Sequence, residues 1–172
     1  MKTTKTLLAL TLTLMLLLSI GTCAFDADYS ATQKYLDTMT ELDGAVCELQ
    51  SDKLTIGGST YEHVKVDYEG ELSKYKSHFD ICFTEDSSEI LMSMTVLNYD
   101  AAKLADVLSE VNSLNASTTS VKLYVDTDKN AVMAEFYLLA TEESVTDIAL
   151  YGTGMFIGFT DQVYELLSAY AA

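Results

Sequence analysis

Between Asp100 and Leu114 the apolar residues Leu104, Val107, Leu108, Val111 and Leu114 recur at three- and four-residue spacing. That is the stripe of an amphipathic helix. Directly afterwards the period falls to two. Val121, Leu123 and Val125 alternate with Lys122, Tyr124 and Asp126, and Val132, Ala134, Phe136 and Leu138 repeat the pattern. This predicts a β-hairpin over 121–126 and 131–139. A helix stripe and an apolar sheet face can cover one another, so the unit from Tyr99 to Leu139 is expected to seed a core.

The same two periods organise the rest. Ser30–Ala31–Thr32–Gln33 reads as a capping box ahead of a stripe of Tyr35, Leu36, Met39 and Leu42, with Gly44 as the stop. Ala45, Cys47 and Leu49 share one face of a short strand, Gly57–Gly58–Ser59 marks a turn, and Val64, Val66 and Tyr68 alternate against His63, Lys65 and Asp67. Residues 78–84 and 89–97 predict a hairpin around Glu85–Asp86–Ser87–Ser88, with Phe79, Ile81 and Phe83 facing Ile90, Met92, Met94 and Val96 inward. Ser144–Val145–Thr146–Asp147 opens a long helix to about Tyr170, whose buried side is expected to be Ile148, Tyr151, Met155, Phe159, Val163 and Leu166 or Leu167. The predicted class is α+β: a twisted antiparallel sheet with three helices in two layers, in the order helix–strands–helix–hairpin–helix.

The run Val107–Leu108–Ser109–Glu110–Val111–Asn112–Ser113–Leu114–Asn115, then Val121 to Asp126 with a polar turn, resembles the YbjN family. Asp161–Gln162–Val163–Tyr164 resembles that family's closing helix, with an acid ahead of an aromatic. The resemblance spans roughly Tyr35 to Tyr170. It implies a fold like that of type III secretion chaperones, a chaperone-like role and a homodimer, and it brings no catalytic residues. An N-terminal export segment departs from it, since many relatives look cytoplasmic.

That segment is Met1 to Ala24. Lys2 and Lys5 precede a run from Leu7 to Ile20, apolar apart from Thr11, Thr13 and Ser19. Fourteen residues suit a signal-peptide core better than a membrane span of about 20. Thr22–Cys23–Ala24 suits cleavage before Phe25, leaving one domain over 25–172 and no transmembrane segment. Ile20–Gly21–Thr22–Cys23 also resembles a lipobox, which would attach lipid to Cys23, although Thr22 is a poor residue before a lipidated cysteine. Secretion, lipid anchoring through Cys23 and an uncleaved anchor all remain open. Each places the domain outside the cytoplasm.

Charge narrows the partners. The chain of 172 residues carries 26 acids and 10 bases, net −16, and every base is a lysine. With Lys2 and Lys5 removed and every acid retained, the mature chain is near −18. Nucleic acid would be repelled, and without arginine there is no bidentate fork for phosphate or carboxylate. A basic protein or peptide, or a metal ion, is the favoured partner; the charge also serves solubility alone.

Candidate chemistry is sparse. Asp126–Thr127–Asp128–Lys129–Asn130 has the D-x-D-x-N start of a calcium loop, but Ala131 replaces the turn glycine and Tyr137 the closing acid. Turn chemistry alone accounts for the segment. Gly152–Thr153–Gly154–Met155–Phe156–Ile157–Gly158 lies inside a helical pattern rather than after a strand, so close packing or a break is favoured over phosphate binding. His63 and His78 fall on polar strand faces without metal-ligand spacing. Serines lack a nucleophile elbow. No catalytic, cofactor or metal residue is assigned. Tyr61, Tyr68, Tyr75 and Tyr124 are candidates for a partner surface on an uncovered sheet face.

The sequence therefore points to an exported, non-catalytic binding or chaperone-like module. The competing classes are a metal-dependent or other hydrolytic envelope enzyme and a structural envelope lipoprotein. Strand parity places Cys47 and Cys82 on opposite sheet faces, which forbids a disulfide; Cys47 is expected to be buried and Cys82 the more accessible.

Overall fold

The computed structural model describes residues 27–117 and 121–172. The expected leader, its cleavage site and Cys23 lie outside the described residues. The element order is α1 (Ser30–Met39), β1 (Ala45–Leu49), β2 (Leu54–Ile56), β3 (Ser59–Tyr68), β4 (Ser77–Thr84), β5 (Glu89–Asn98), α2 (Leu104–Ser117), β6 (Lys122–Asp126), β7 (Ala131–Leu139) and α3 (Val145–Leu167). The fold is α+β, with one seven-stranded sheet in the order β1-β3-β4-β5-β7-β6, and β2 pairing β3 beyond the end of β1. Every pairing is antiparallel. The strand β2, with the Gly57–Gly58 turn at φ +61 and +95, is an addition to the sequence reading. All three of its residues are exposed, so it carries no inward alternation to read.

Cross-strand register sorts the side chains. Val64, Ile81, Met92 and Phe136 form one row across four strands, and all are buried. α1 and α3 cover this face. His63, Cys82, Leu91 and Tyr137 form a row on the opposite face, which no helix covers among the described residues. α2 packs along the edge strand β6 through buried Val107 and Val111.

Two helix starts differ from the capping-box expectation. Ser30 is the first helical residue and Tyr29 the cap, without a side-chain bond. The chain entering the helix is held instead by Glu62, on the neighbouring strand β3: its Oε1 accepts from Asp28 N–H at 3.0 Å and its Oε2 from the cap residue Tyr29 N–H at 3.1 Å. Gln33 does reach back, to Ala27 N–H at 3.1 Å. Ser144 caps α3 without bonding into its first turn; its hydroxyl bonds Thr141.

The buried side of α3 is also rotated from the expected stripe. Val145, Ala149, Gly152, Phe156, Thr160, Val163 and Leu167 face inward, while Tyr151 is 64% exposed. The helix runs unbroken through its glycines. Gly152 is the position of close approach: a Cβ there would lie 2.6 Å from Met92 Sδ. Gly154 and Gly158, where close packing was expected, would meet nothing within 4 Å.

Candidate functional site

The uncovered sheet face carries the titratable candidates. Lys65, Asp80, Ser93, Glu135 and Lys122 form a row across five strands. Each acid stands beside a lysine, Asp80 beside Lys65 and Glu135 beside Lys122, with neutral Ser93 between the two pairs, so neighbours offset one another. His78 Nδ1 contacts Asp67 Oδ1, at the exposed end of the face. Tyr61 Oη donates to Glu89, and Tyr124 Oη donates to Glu135 at 3.0 Å. Most polar groups here are partnered by their neighbours.

The centre of the face is the exception. His63 Nδ1 and one oxygen of Asp80 are buried with no hydrogen-bond partner among the described residues. Burial pushes the Asp80 carboxyl up, against the opposing pull of His63 and Lys65. Cys82 lies opposite His63, so thiol, imidazole and carboxylate are neighbours. The thiol is nevertheless not poised for attack. Burial, and then the charge of Asp80, push it up to about 12, and a nucleophilic cysteine must be a thiolate. Cys82 is 2% exposed, contrary to the expectation that it is the accessible cysteine: the cross-strand neighbours His63 and Leu91 crowd it on a face that is polar but not bare. Cys47 is half-buried and both thiols are free. Burial and then Asp67 raise Cys47 to about 11.

The Asp126 segment is a turn that satisfies itself. Asp126 Oδ1 accepts from Asp128 N–H and Lys129 N–H, each at 3.1 Å, and Asn130 takes a φ of +50. Those bonds hold the Asp126 carboxyl below its usual range. No cluster of three or more histidine, cysteine, aspartate or glutamate side chains is arranged for a metal among the described residues.

The four candidate tyrosines are not brought together. Tyr61 is buried on the open face and Tyr68 is buried on the opposite, helix-covered one. Tyr75 packs against Tyr164 of α3, with ring centroids 4.5 Å apart and the planes tilted by 44°. Tyr124, 41% exposed, is the one of the four that presents its ring to solvent.

A surface the sequence reading missed lies between α1 and α3. Tyr35 Oη and Thr153 Oγ1, 2.9 Å apart, tie the helices together. Beyond this bond the helices leave an apolar groove of about 340 Å³, lined by Met39 at the end of α1, Leu42 just after it, Leu150, Gly154 and Ile157 on α3, and Leu72 from the β3–β4 connection. Leu72 is 62% exposed. Asp161 of α3 pins that connection: its carboxylate accepts from Ser73 Oγ at 2.7 Å, Lys74 N–H at 3.0 Å and Tyr75 N–H at 3.3 Å. Lys74 Nζ then pairs with Glu165 at 2.7 Å. A lone leucine in an otherwise polar connection and a glycine inside a helix were the available signals.

The chain matches no protein-family model, no curated protein and no solved structure. Among the described residues, no helix is long and apolar enough to cross a membrane.

Proposed function

We propose that this chain is an exported, non-catalytic binding module of chaperone-like kind, as its resemblance to the YbjN family implies. The observation that carries this reading is the apolar groove between α1 and α3, framed by a pinned connection. A surface that exposes leucine beside a concave apolar wall suits side chains brought by a partner. The chemistry of the open face supports the same reading. Its thiol is held protonated by burial, and its charges offset one another across the strands rather than converging on a reacting atom.

The test is cross-linking of the full chain in its own envelope, with the linked residues mapped by mass spectrometry. A stoichiometric protein or peptide joined to residues around Leu42, Leu72 or Leu150 is the expected result. Turnover on a panel of envelope substrates, with no stoichiometric partner, would overturn the reading in favour of a hydrolase.

A further inference from the structure

Glycine in a helix interior costs about 1 kcal/mol against alanine. For Gly152 that cost accompanies close contact with Met92, Leu138 and Phe136. Gly154 and Gly158 have no such compensation, because among the described residues a Cβ at either would meet nothing within 4 Å beyond the helix's own adjoining backbone. They stand one turn apart, so they present bare backbone on one side of α3. Gly154 is also part of the wall of the groove. The smoothness is therefore on the surface a partner would touch.

The size and charge of the groove restrict that partner. At about 340 Å³ it sits at the small end of ligand cavities, which run from roughly 300 to 1,000 Å³. It accommodates a few side chains. Among the described residues the one ionisable side chain lining it is Glu41; Asp37 precedes it and Asp43 and Glu71 follow on the adjoining segments, all exposed. A fatty acid or anionic lipid would bring its own negative head against Glu41. A second copy would bring another acidic rim and another net charge of −16. Lysine or arginine beside apolar side chains is the complementary chemistry.

We propose that the groove between α1 and α3 is the docking site for a basic amphipathic helix of a partner protein. Its apolar side chains enter between Leu42, Leu72 and Ile157, its backbone passes close over Gly154, and its basic residues meet Glu41. This is helix-in-groove recognition, with the glycines allowing near approach of the two helices. The inference rests on the binding-module reading and deepens it.

The test uses the full chain and three synthetic helices of about 18 residues, long enough to fold on contact. One is leucine-faced with lysines, one leucine-faced with glutamates, and one a scrambled lysine–leucine control. The lysine–leucine helix should bind and the other two should not. Gly154→Leu fills the groove and should weaken binding at least about tenfold, a loss of about 1.4 kcal/mol, while the melting temperature stays equal or rises. Glu41→Lys should weaken binding and flatten its salt dependence. A photo-reactive lysine–leucine helix should cross-link near Leu72 and Gly154, a readout that does not need either variant to fold. Equal binding by Gly154→Leu, cross-links on the open sheet face, or tight binding of the glutamate or scrambled helix would each overturn the proposal. If none of the helices binds while an envelope partner still cross-links to the chain, the helix is wrong and the binding-module reading survives.

Discussion

Asn115 of α2 pairs with Leu123 of β6 through both ends of its amide: Oδ1 accepts Leu123 N–H at 2.8 Å, and Nδ2 donates to Leu123 C=O at 2.7 Å. A side chain thus stands where the next strand would, at the outer edge of β6. An uncapped edge invites pairing with another chain. Asn115→Ala should lower stability by about 1–2 kcal/mol, from two lost bonds at a partly exposed site. It should also raise aggregation during refolding, measured by light scattering, whereas a surface control such as Asn112→Ala should do neither.

Asp161→Asn should release the β3–β4 connection. Desolvation pushes this carboxyl up, but the bonds from Ser73 and from the Lys74 and Tyr75 backbone, with the charge of Lys74, together outweigh it and hold the carboxyl below its usual value. A depressed folded value means the stabilisation is complete above the unfolded value, about 3.9, and disappears as pH falls through the folded one. The stability difference between wild type and Asp161→Asn should therefore be constant from neutral pH down to about 5 and shrink below about 4. Urea titrations across that range read it directly.

Glu62 is 4% exposed and gives both oxygens to the N–H groups ahead of α1. Glu62→Gln keeps the shape but offers one acceptor and no charge to the helix start. Loss of about 1–2 kcal/mol is expected. Hydrogen exchange should quicken first at Asp28 and Tyr29, with the β4 amides unaffected.

Two glycines two residues apart, Gly152 and Gly154, should respond in opposite directions. Gly154→Ala meets no neighbour and should stabilise by up to about 1 kcal/mol. Gly152→Ala drives a methyl against the fully buried Met92 and should destabilise by about 1–2 kcal/mol, the overpacking penalty less the helix gain. Thermal unfolding of the pair settles the orientation of α3.

In the native protein both thiols should resist alkylation at neutral pH, because they are held at about 11 and about 12. Half-buried Cys47 should react before Cys82, and denaturation without reductant should expose both. A linked Cys47–Cys82 peptide would contradict the opposite-face register.

Much of the fold was legible because the apolar residues of its central strands recur with period two. Phe79, Ile81, Ile90 and Met92 declare their face by period two, and that period also separated Cys47 from Cys82. The misreadings share a physical cause: alternation gives direction, not depth. Cys82 was placed on the correct face but wrongly exposed, since bulky neighbours bury a side chain that no helix covers. In α3 nearly every side is apolar, so the stripe through Tyr151 fitted as well as the one through Phe156. What decided between them was the absence of a side chain at Gly152. Glu62 could not be found at all, because a carboxylate at an inward strand position becomes sensible only when a helix start from over 30 residues earlier arrives beside it. The groove is likewise built by three segments remote in sequence.

The sheet order also implies an order of assembly. β3, β4 and β5 are neighbours along the chain and across the sheet, so each pairing closes only a short connection, at little entropic cost. β7 joins β5 after α2 and β6 have intervened, and α3 comes later still. A chain emerging from its N-terminus can thus form the central meander, with α1 already present, while the part of its apolar face around Met92 still waits for α3. That interval is when non-native association is most dangerous. Mutual repulsion between strongly acidic chains keeps neighbouring nascent copies apart for as long as it lasts.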